Sequence, residues 1–333
     1  MRKTIGLTYD LKTDYVLSTC EPADANAEFD HPDTIGVIES AIERFGYNVR
    51  RIGNVHSLLK YLKSKEKKVD IVFNVAEGRF GRNRESQVPI ILEMMGIPFV
   101  GSDGLTLGLT LDKVMTKKIL LTEGIPTPRF AQVESPQQLN GMALNYPLIV
   151  KPRCEGSSKG LNDNSVVGSY KSLKKQVRWV IETYKQPAII EEFICGREFT
   201  VAILGNSSPR ALPLVQIRID GSLDLGKLFY TFSRIHSDTL DYVCPAPVSK
   251  KLSARIAEVA LETYKALECR DFARVDVRVD KHAQPYVLEI NPLPSLSTED
   301  VFAVIAKYKK MSYDRMLVNI LEEGLKRYGM PIN

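Results

Sequence analysis

The stretch RVDVRVDKHAQPYVLEINP (274–292) decides how the chain is read. Val275, Val277 and Val279 alternate with Arg274, Asp276 and Arg278, while Tyr286, Leu288 and Ile290 alternate with Val287, Glu289 and Asn291. A period of two over two short runs predicts two strands, each with one buried face. A loop from Lys281 to Gln284, closed by Asp280 opposite Pro285, sets Asp276 across from Glu289 and Arg274 across from Asn291. Directly opposed like charges destabilise a strand pair. Two carboxylates and an amide oxygen around a gap suit a hard cation such as Mg²⁺ that also binds phosphates. A solvent-facing hairpin with an incidental acid pair is the alternative.

Around this stretch the composition is that of a soluble globular protein. With 44% hydrophobic and 26% charged residues over 333 positions, the chain can bury a large core in two or three domains. A formal charge of +5, with no basic block interleaved with aromatics, argues against nucleic acid as a partner. The lysines between Lys63 and Lys68 read as a solvated helix end. The opening MRKTIGLTYD lacks the apolar core of a signal peptide, and no apolar run of about 18 residues occurs. No membrane partner and a cytoplasmic location are expected. Cys20, Cys154, Cys195, Cys244 and Cys269 are odd in number and scattered, which predicts reduced thiols. The dispersed histidines form no zinc pattern.

Over residues 1–103 the apolar pattern predicts strands at 3–9, 49–52, 70–75 and 97–100, separated by helices. The helices are expected at 34–45, capped by Asp33, at 55–64 and at 86–95. That alternation predicts an α/β domain with a doubly wound parallel sheet. Residues 104–186 read as an α+β unit: one long helix from Leu105 to Thr122, strands at 128–133, 147–152 and 165–168, and a helix at 170–184. Residues 187–333 carry short strands at 188–193, 198–204, 212–217 and 227–232, a helix at 250–267, the hairpin and a final helix at 313–327. The turns at 124–128 and 185–187 are the candidate joints.

Two further segments carry chemistry. In EGSSKG (155–160), after a strand ending in Lys151, Glu155, Gly156, Ser157, Ser158 and Gly160 form a loop whose backbone N–H groups and hydroxyls suit an anion. It is neither a Walker loop nor a GxGxxG turn, and a plain β-turn has the same composition. Lys113 would add a phosphate contact, although a lone helix lysine also reads as solvated. In IIEEFI (189–194) and GREFTV (196–201), a strand ending in acids, a glycine step and Glu198 suit an adenine slot with ribose acceptors. There, backbone groups of Glu192 and Ile194 would pair with the adenine edge and Phe193 would pack on the ring. A hairpin with exposed acids is the plainer reading.

The order of these parts resembles the ATP-grasp superfamily and, more closely, the D-alanine–D-alanine ligase family. The likeness is strongest over 111–160 and 188–296. It implies an ATP-grasp fold, in which an N-terminal parallel-sheet domain joins two α+β subdomains clamping ATP. It also implies ATP as substrate and two Mg²⁺ ions, or Mn²⁺ in their place. By that resemblance Lys113 and Lys151 bind phosphates, residues 155–160 form a mobile phosphate loop, and Glu191 and Glu198 face adenine and ribose. Asp276, Glu289 and Asn291 hold metal, Arg274 meets the transferring phosphate, and Arg274 with a backbone N–H near Ser295 stabilises the oxyanion. Ser157 orients substrate. The implied reaction is ADP-forming: a carboxylate attacks the γ-phosphate and an amine then displaces phosphate from the acyl phosphate.

The departures fall on the amino-acid sites. The family's N-terminal glutamate has only Asp10 and Asp14 as loose substitutes, and its histidine- and glycine-containing loop becomes NVAEGRFGRNRES (74–86). The arginines there, Arg84 among them, suit a carboxylate. Asp300 stands where the family places a carboxylate-binding serine, within expected reach of Arg234. Ile235 stands for a family tyrosine, and His236 lies next to it. These residues leave the substrates open between D-alanine pairs and other small carboxylates and amines joined as a dipeptide or peptide-like amide. A homodimer is expected. The competing readings are a non-catalytic ATP-binding regulator, which would not need the full set Arg274, Asp276, Glu289 and Asn291, and a carboxylase-type member, for whose usual extra domains the chain has no room.

Overall fold

In the computed structural model, residues 2–65, 68–235, 237 and 239–332 are described. The first sheet comprises β1 (Thr4–Tyr9), β2 (Asn48–Arg51), β3 (Ile71–Val75) and β4 (Phe99–Val100) in the order β2-β1-β3-β4, with every pair parallel. Helices α1 (Pro32–Arg44), α2 (Val55–Lys63) and α3 (Gln87–Met94) connect the strands. Ile71 and Phe73 join one apolar cluster with Ile35 and Ile38 of α1, while Val72 joins another with Leu58 of α2 and Leu92 of α3. Both faces are therefore covered, as a parallel sheet requires. The cap of α1 is His31, whose Nδ1 accepts from the Asp33 N–H at 3.3 Å, not Asp33. Pro32 sits at the first helical position, where its missing N–H costs nothing and its φ is already helical.

The long helix expected over 105–122 is two, α4 (Gly104–Leu111) and α5 (Lys113–Thr122). Asp112 breaks it: its backbone is extended, and its carboxylate accepts from the N–H groups of Val114 and Met115, both at 3.2 Å. Arg153 clamps the same carboxylate, at 2.8 and 2.6 Å. The middle sheet has the order β5-β8-β6-β7 and comprises β5 (Phe130–Val133), β6 (Leu148–Pro152), β7 (Val166–Val167) and β8 (Ala188–Glu192), with α6 (Tyr170–Tyr184) packed on it. Because β8 pairs with both β5 and β6, the change of sheet falls after Glu192 and not at 186.

The third sheet is antiparallel, with order β12-β11-β9-β13-β14 and β10 beside β9. Its strands are β9 (Arg197–Leu204), β10 (Arg210–Ala211), β11 (Val215–Ile219), β12 (Leu240–Val243), β13 (Phe272–Val279) and β14 (Pro285–Asn291). No strand forms at 227–232; a turn at Leu225–Leu228 leads into the short helix α7 (Phe232–Ile235). Strand β12 was not legible as a strand. Helix α8 (Lys250–Ala266) covers the apolar face of β13. The chain then returns through α9 (Val301–Tyr308), also unexpected, and α10 (Tyr313–Arg327), whose Leu317 and Leu321 share a core with Ile5, Leu7 and Phe73. Among the described residues no helix is long and apolar enough to cross a membrane. All five cysteines are free thiols.

The decisive hairpin keeps its expected partners, Asp276 with Glu289 and Arg274 with Asn291, but reaches them by another route. At the turn Val279, not Asp280, faces Pro285, and Leu288 bulges out between the pairs Val277–Val287 and Asp276–Glu289. The bulge switches the buried side: Val287 and Ile290 face the core, and Tyr286 and Leu288 do not. Gly196, before β9, has φ +139°, and a Cβ there would lie 2.2 Å from the Val279 carbonyl oxygen, so only glycine fits this crossing.

Candidate active site

One large cavity, about 270 Å³, lies among the three sheets. β6 contributes Ile149 and Lys151 to it; β8 contributes Glu191 and Glu192; β9 contributes Glu198 and Thr200. From β13 come Arg274, Asp276 and Arg278, and from β14 Leu288, Glu289, Ile290 and Asn291. Lys113, Glu155, Gly156, Ser157, Ser158, Phe193, Ile194, Ser295 and Asp300 also line it. Most of the residues singled out from sequence therefore meet around one space.

The hairpin end is a charge cluster. Lys113 Nζ lies 2.6 Å from Glu289 Oε2, and Arg274 Nη2 lies 3.1 Å from Asp276 Oδ2. Burial works to raise Glu289, but the ammonium groups of Lys113 and Lys151 outweigh it and hold that carboxyl at about 2. Asp276 is shifted the other way: burial and the facing Glu289 raise it despite Arg274. Arg274 also reaches Asp300, with Nη1 to Oδ1 at 3.6 Å, so two acids share one guanidinium.

Glu191 and Glu198, expected to face adenine and ribose, are held differently from each other. Glu191 is buried, its Oε2 accepts from Lys151 Nζ at 3.2 Å, and its Oε1 lies 3.5 Å from Lys117 Nζ. Burial opposes ionisation of Glu191, yet the two lysines keep its carboxyl below the usual range. Glu198 is raised to about 7, by burial first, although Arg278 Nη1 lies 3.3 Å away. Arg278 stacks on Phe193 at 4.6 Å and donates to the carbonyls of Leu228, Gly196 and Gly226. The Glu192 side chain is taken up within the chain, accepting from Arg129 and from Asn145. Its N–H donates to the Arg129 carbonyl at 2.9 Å.

The loop 155–160 is tied to the N-terminal unit. Glu28 accepts from the Gly156 N–H at 2.6 Å and from Lys159 Nζ at 2.9 Å. Asp24 accepts from the Gly160 N–H at 2.9 Å and from the Tyr184 hydroxyl. Gly160 is thus turned away from the cavity. Its φ is +75°, and a Cβ would lie 2.4 Å from Pro152 Cγ. Ser157 and Ser158 both adopt positive φ, 46° and 54°, which turns the loop back on itself.

Four expectations need correction. Arg84 does not line the cavity: it is buried, donates to both oxygens of Glu28 at 2.8 Å and to the Cys154 carbonyl, and reaches Glu155. Arg234 does not reach Asp300 but pairs with Asp163 at 2.8 Å, so Arg274 is the counter-charge of Asp300. Asp10 is committed to the Tyr15 hydroxyl and to the Gly78 N–H, at 2.8 Å, and Asp14 to the N–H of Leu11; neither lines the cavity. His236 lies outside the described residues. Sequence reading missed Lys117, four residues after Lys113 on α5, which is fully buried and bonded to Thr127. The i, i+4 spacing of two lysines was the available signal. It also missed Glu28, Asp30, Glu77 and Glu85, which line the cavity from the N-terminal side.

The architecture of a parallel-sheet unit beside two α+β sheets enclosing a polar cavity is the ATP-grasp fold. The crystal structure of D-alanine–D-alanine ligase from Bacillus anthracis complexed with ATP superposes with a TM-score of 0.73 at 24% identity, over 99% of each chain. Residues 119–322 match the family model for the D-ala D-ala ligase C-terminus. D-alanine–D-alanine ligase of Carboxydothermus hydrogenoformans is 35% identical over 86% of this chain and 90% of its own length. The uncharacterized protein y4sG of Sinorhizobium fredii is 37% identical over 78% of this chain and 75% of that protein. The chain belongs to the D-alanine–D-alanine ligase family.

Proposed function

We propose that the chain is an ADP-forming ligase that joins a small carboxylate to an amine. A carboxylate oxygen attacks the γ-phosphorus of ATP while the bond to the β–γ bridging oxygen breaks and ADP leaves. The amine nitrogen then adds to the acyl carbon, phosphate departs and the nitrogen sheds a proton, leaving an amide. Lys113, Lys151, Ser158 and the Gly156 N–H would hold the phosphates. Phe193 would pack on adenine, with the Ile194 N–H taking the edge contact because Glu192 N–H already has a partner. Glu198 suits the ribose hydroxyls. Arg274, with a backbone N–H near Ser295, would stabilise charge on the phosphoryl group and on the tetrahedral oxyanion, while Ser157 orients the carboxylate.

The observation that carries this reading is the opposed pair Asp276 and Glu289, with Asn291 and Arg274, on the wall facing Lys151. All three metal-side donors are hard oxygens, and burial together with Glu289 already presses Asp276 toward protonation, so the set fits Mg²⁺. When bound, Mg²⁺ would supply neutralisation of phosphate charge. The cations now on those acids, Lys113 and Arg274, are ones a phosphate chain would also draw. Asp300 beside Arg274 disfavours a free α-carboxylate on the amine substrate. We further read the enzyme as cytoplasmic and homodimeric. A phosphate-release screen of D- and L-amino acids, singly and in pairs, with ATP and Mg²⁺ tests the activity. Release with at least one pair is expected, and release with none would reject the ligase reading.

A further inference from the structure

The N-terminal wall of the cavity is acidic beyond what the chain itself neutralises. Glu28, Asp30, Glu77 and Glu85 all line it. Glu28 is matched: burial opposes its charge, but Arg84 and Lys159 hold it at about 2. Those two cations also serve Glu155. Two cations therefore answer two carboxylates, and Asp30, Glu77 and Glu85 are left over. None of these three makes a side-chain hydrogen bond or ion pair among the described residues. Glu85 is the sharpest case, because it is only 7% exposed and still borders the cavity.

A carboxylate as buried as Glu85 and without a partner is costly, and the half-buried Asp30 and Glu77 on the same cavity add to that cost. Burial, with neighbouring acids adding to it, lifts Asp30 and Glu85 to about 7 and Glu77 well above its ordinary range. A metal ion does not answer the arrangement: among the described residues no three acid, histidine or cysteine side chains converge closely enough to hold one. A group with several N–H donors, an ammonium or guanidinium, can pair with acids spread in this way and favours their charged forms as it binds. The three acids come from three places, the segment before α1, the end of β3 and the turn before α3. Against these three acids the α-ammonium of a neutral amino acid supplies only one positive charge.

We propose that this wall selects a dibasic substrate: an amino acid whose side chain carries a second ammonium or guanidinium group, seated among Asp30, Glu77 and Glu85. The proposal rests on the reading of the chain as a ligase of amino-acid-like substrates, and it names which ones. A neutral side chain such as that of alanine would leave all but one of these acids without a counter-ion.

The test is calorimetric titration of the full chain with ADP and Mg²⁺ present, using both enantiomers of lysine, ornithine and norleucine. One enantiomer of lysine or ornithine should bind at least about tenfold more tightly than norleucine, whose length is similar and whose side chain is uncharged. Glu85→Gln and Glu77→Gln should each remove most of that preference. Equal or tighter binding of norleucine to the unaltered chain overturns the proposal, whether or not either variant folds. ADP formation from ATP is followed in the same samples with each ligand alone and in pairs. Turnover supported only by neutral amino acids defeats the dibasic assignment and leaves the ligase reading standing. Tight, Glu85-dependent lysine or ornithine binding with no ADP formed from any pair defeats the ligase reading and leaves the cation site standing.

Discussion

Replacing Glu289 with Gln separates the catalytic role of the hairpin from its structural one. Glu289 is held at about 2 against an ordinary 4.5, chiefly by Lys113 at 2.6 Å and Lys151 once burial is overcome. At about 1.4 kcal/mol per pK unit that difference corresponds to about 3 kcal/mol. The side chain is 34% exposed, so solvent screens part of it and about 2 kcal/mol is a fair loss on substitution. Relief of the repulsion with Asp276 offsets some of that. A loss of this size lowers the melting temperature by only a few degrees, so Glu289→Gln should remain folded at 25 °C. Turnover should fall by at least about a hundredfold, or about 2.7 kcal/mol in the barrier, because one of two anionic metal donors is gone. The Mg²⁺ concentration for half-maximal ADP release should also rise. Coupled ADP assays across a Mg²⁺ series, beside a thermal melt, measure both effects. A folded Glu289→Gln with turnover within about threefold of the parent and unchanged Mg²⁺ demand would refute the metal role.

Lys117→Met removes one of the two cations on Glu191 and should raise the KM for ATP by about tenfold with a smaller change in kcat, read by initial rates; an unchanged KM would make Lys117 purely structural. Asp30 and Glu85 have folded pKa values near 7, above their unfolded values, so the stability they lend is present at low pH and lost as pH rises toward and through 7. The groups facing them are Asp10, Lys12, Glu28, Glu77, Arg84, Lys113 and Lys159. The ligand-free melting temperature should therefore fall between about pH 4 and 7, and Glu85→Gln should flatten that fall; a profile insensitive to Glu85 would contradict it. Gly196→Ala forces a Cβ to within 2.2 Å of the Val279 carbonyl and should cost several kcal/mol, visible as lost soluble yield or a sharply lower denaturation midpoint.

What was legible in the sequence was whatever repeats along the chain. The parallel sheet of the N-terminal unit follows from apolar runs alternating with amphipathic helices, and α10 falls on its expected residues, 313–327, because its apolar stripe and Ser312 cap are both local. The strand β12 and helix α9 escaped because each is short and takes its partners from distant segments, β11 and the core around Phe73. The split at Asp112 was hidden for a similar reason. A mid-helix aspartate reads as tolerable until Arg153, just past the end of β6, is seen to fix its carboxylate in the capping position.

The site shows the same division in charges. Residue types and order were sufficient to bring Lys151, Glu198, Arg274, Asp276, Glu289 and Asn291 to one cavity, because each sits on a strand whose alternation is readable. Which charge meets which was not readable, since pairing depends on residues that no pattern marks. Glu28 lies in an irregular segment, yet it takes Arg84, Lys159 and the Gly156 N–H, and so gives Arg84 a partner within the chain that its sequence neighbourhood did not suggest.

The bulge at Leu288 ties fold and site together. With strict alternation through β14, a four-residue loop would put Leu288 and Ile290 on the core side and keep Glu289 opposite Asp276. The chain instead closes the turn one residue earlier on the β13 side, between Val279 and Pro285. Without compensation that shift would place Leu288 across from Asp276 and bring its side chain onto the polar face. Bulging at Leu288 absorbs the extra residue, so Val287 and Ile290 both stay in the core while Glu289 returns to face Asp276 and Asn291 to face Arg274. The opposed acids are thus kept in register against a turn that would have separated them. A merely structural hairpin would gain from losing that repulsion, and its retention is what a shared cation and phosphate ligand would explain.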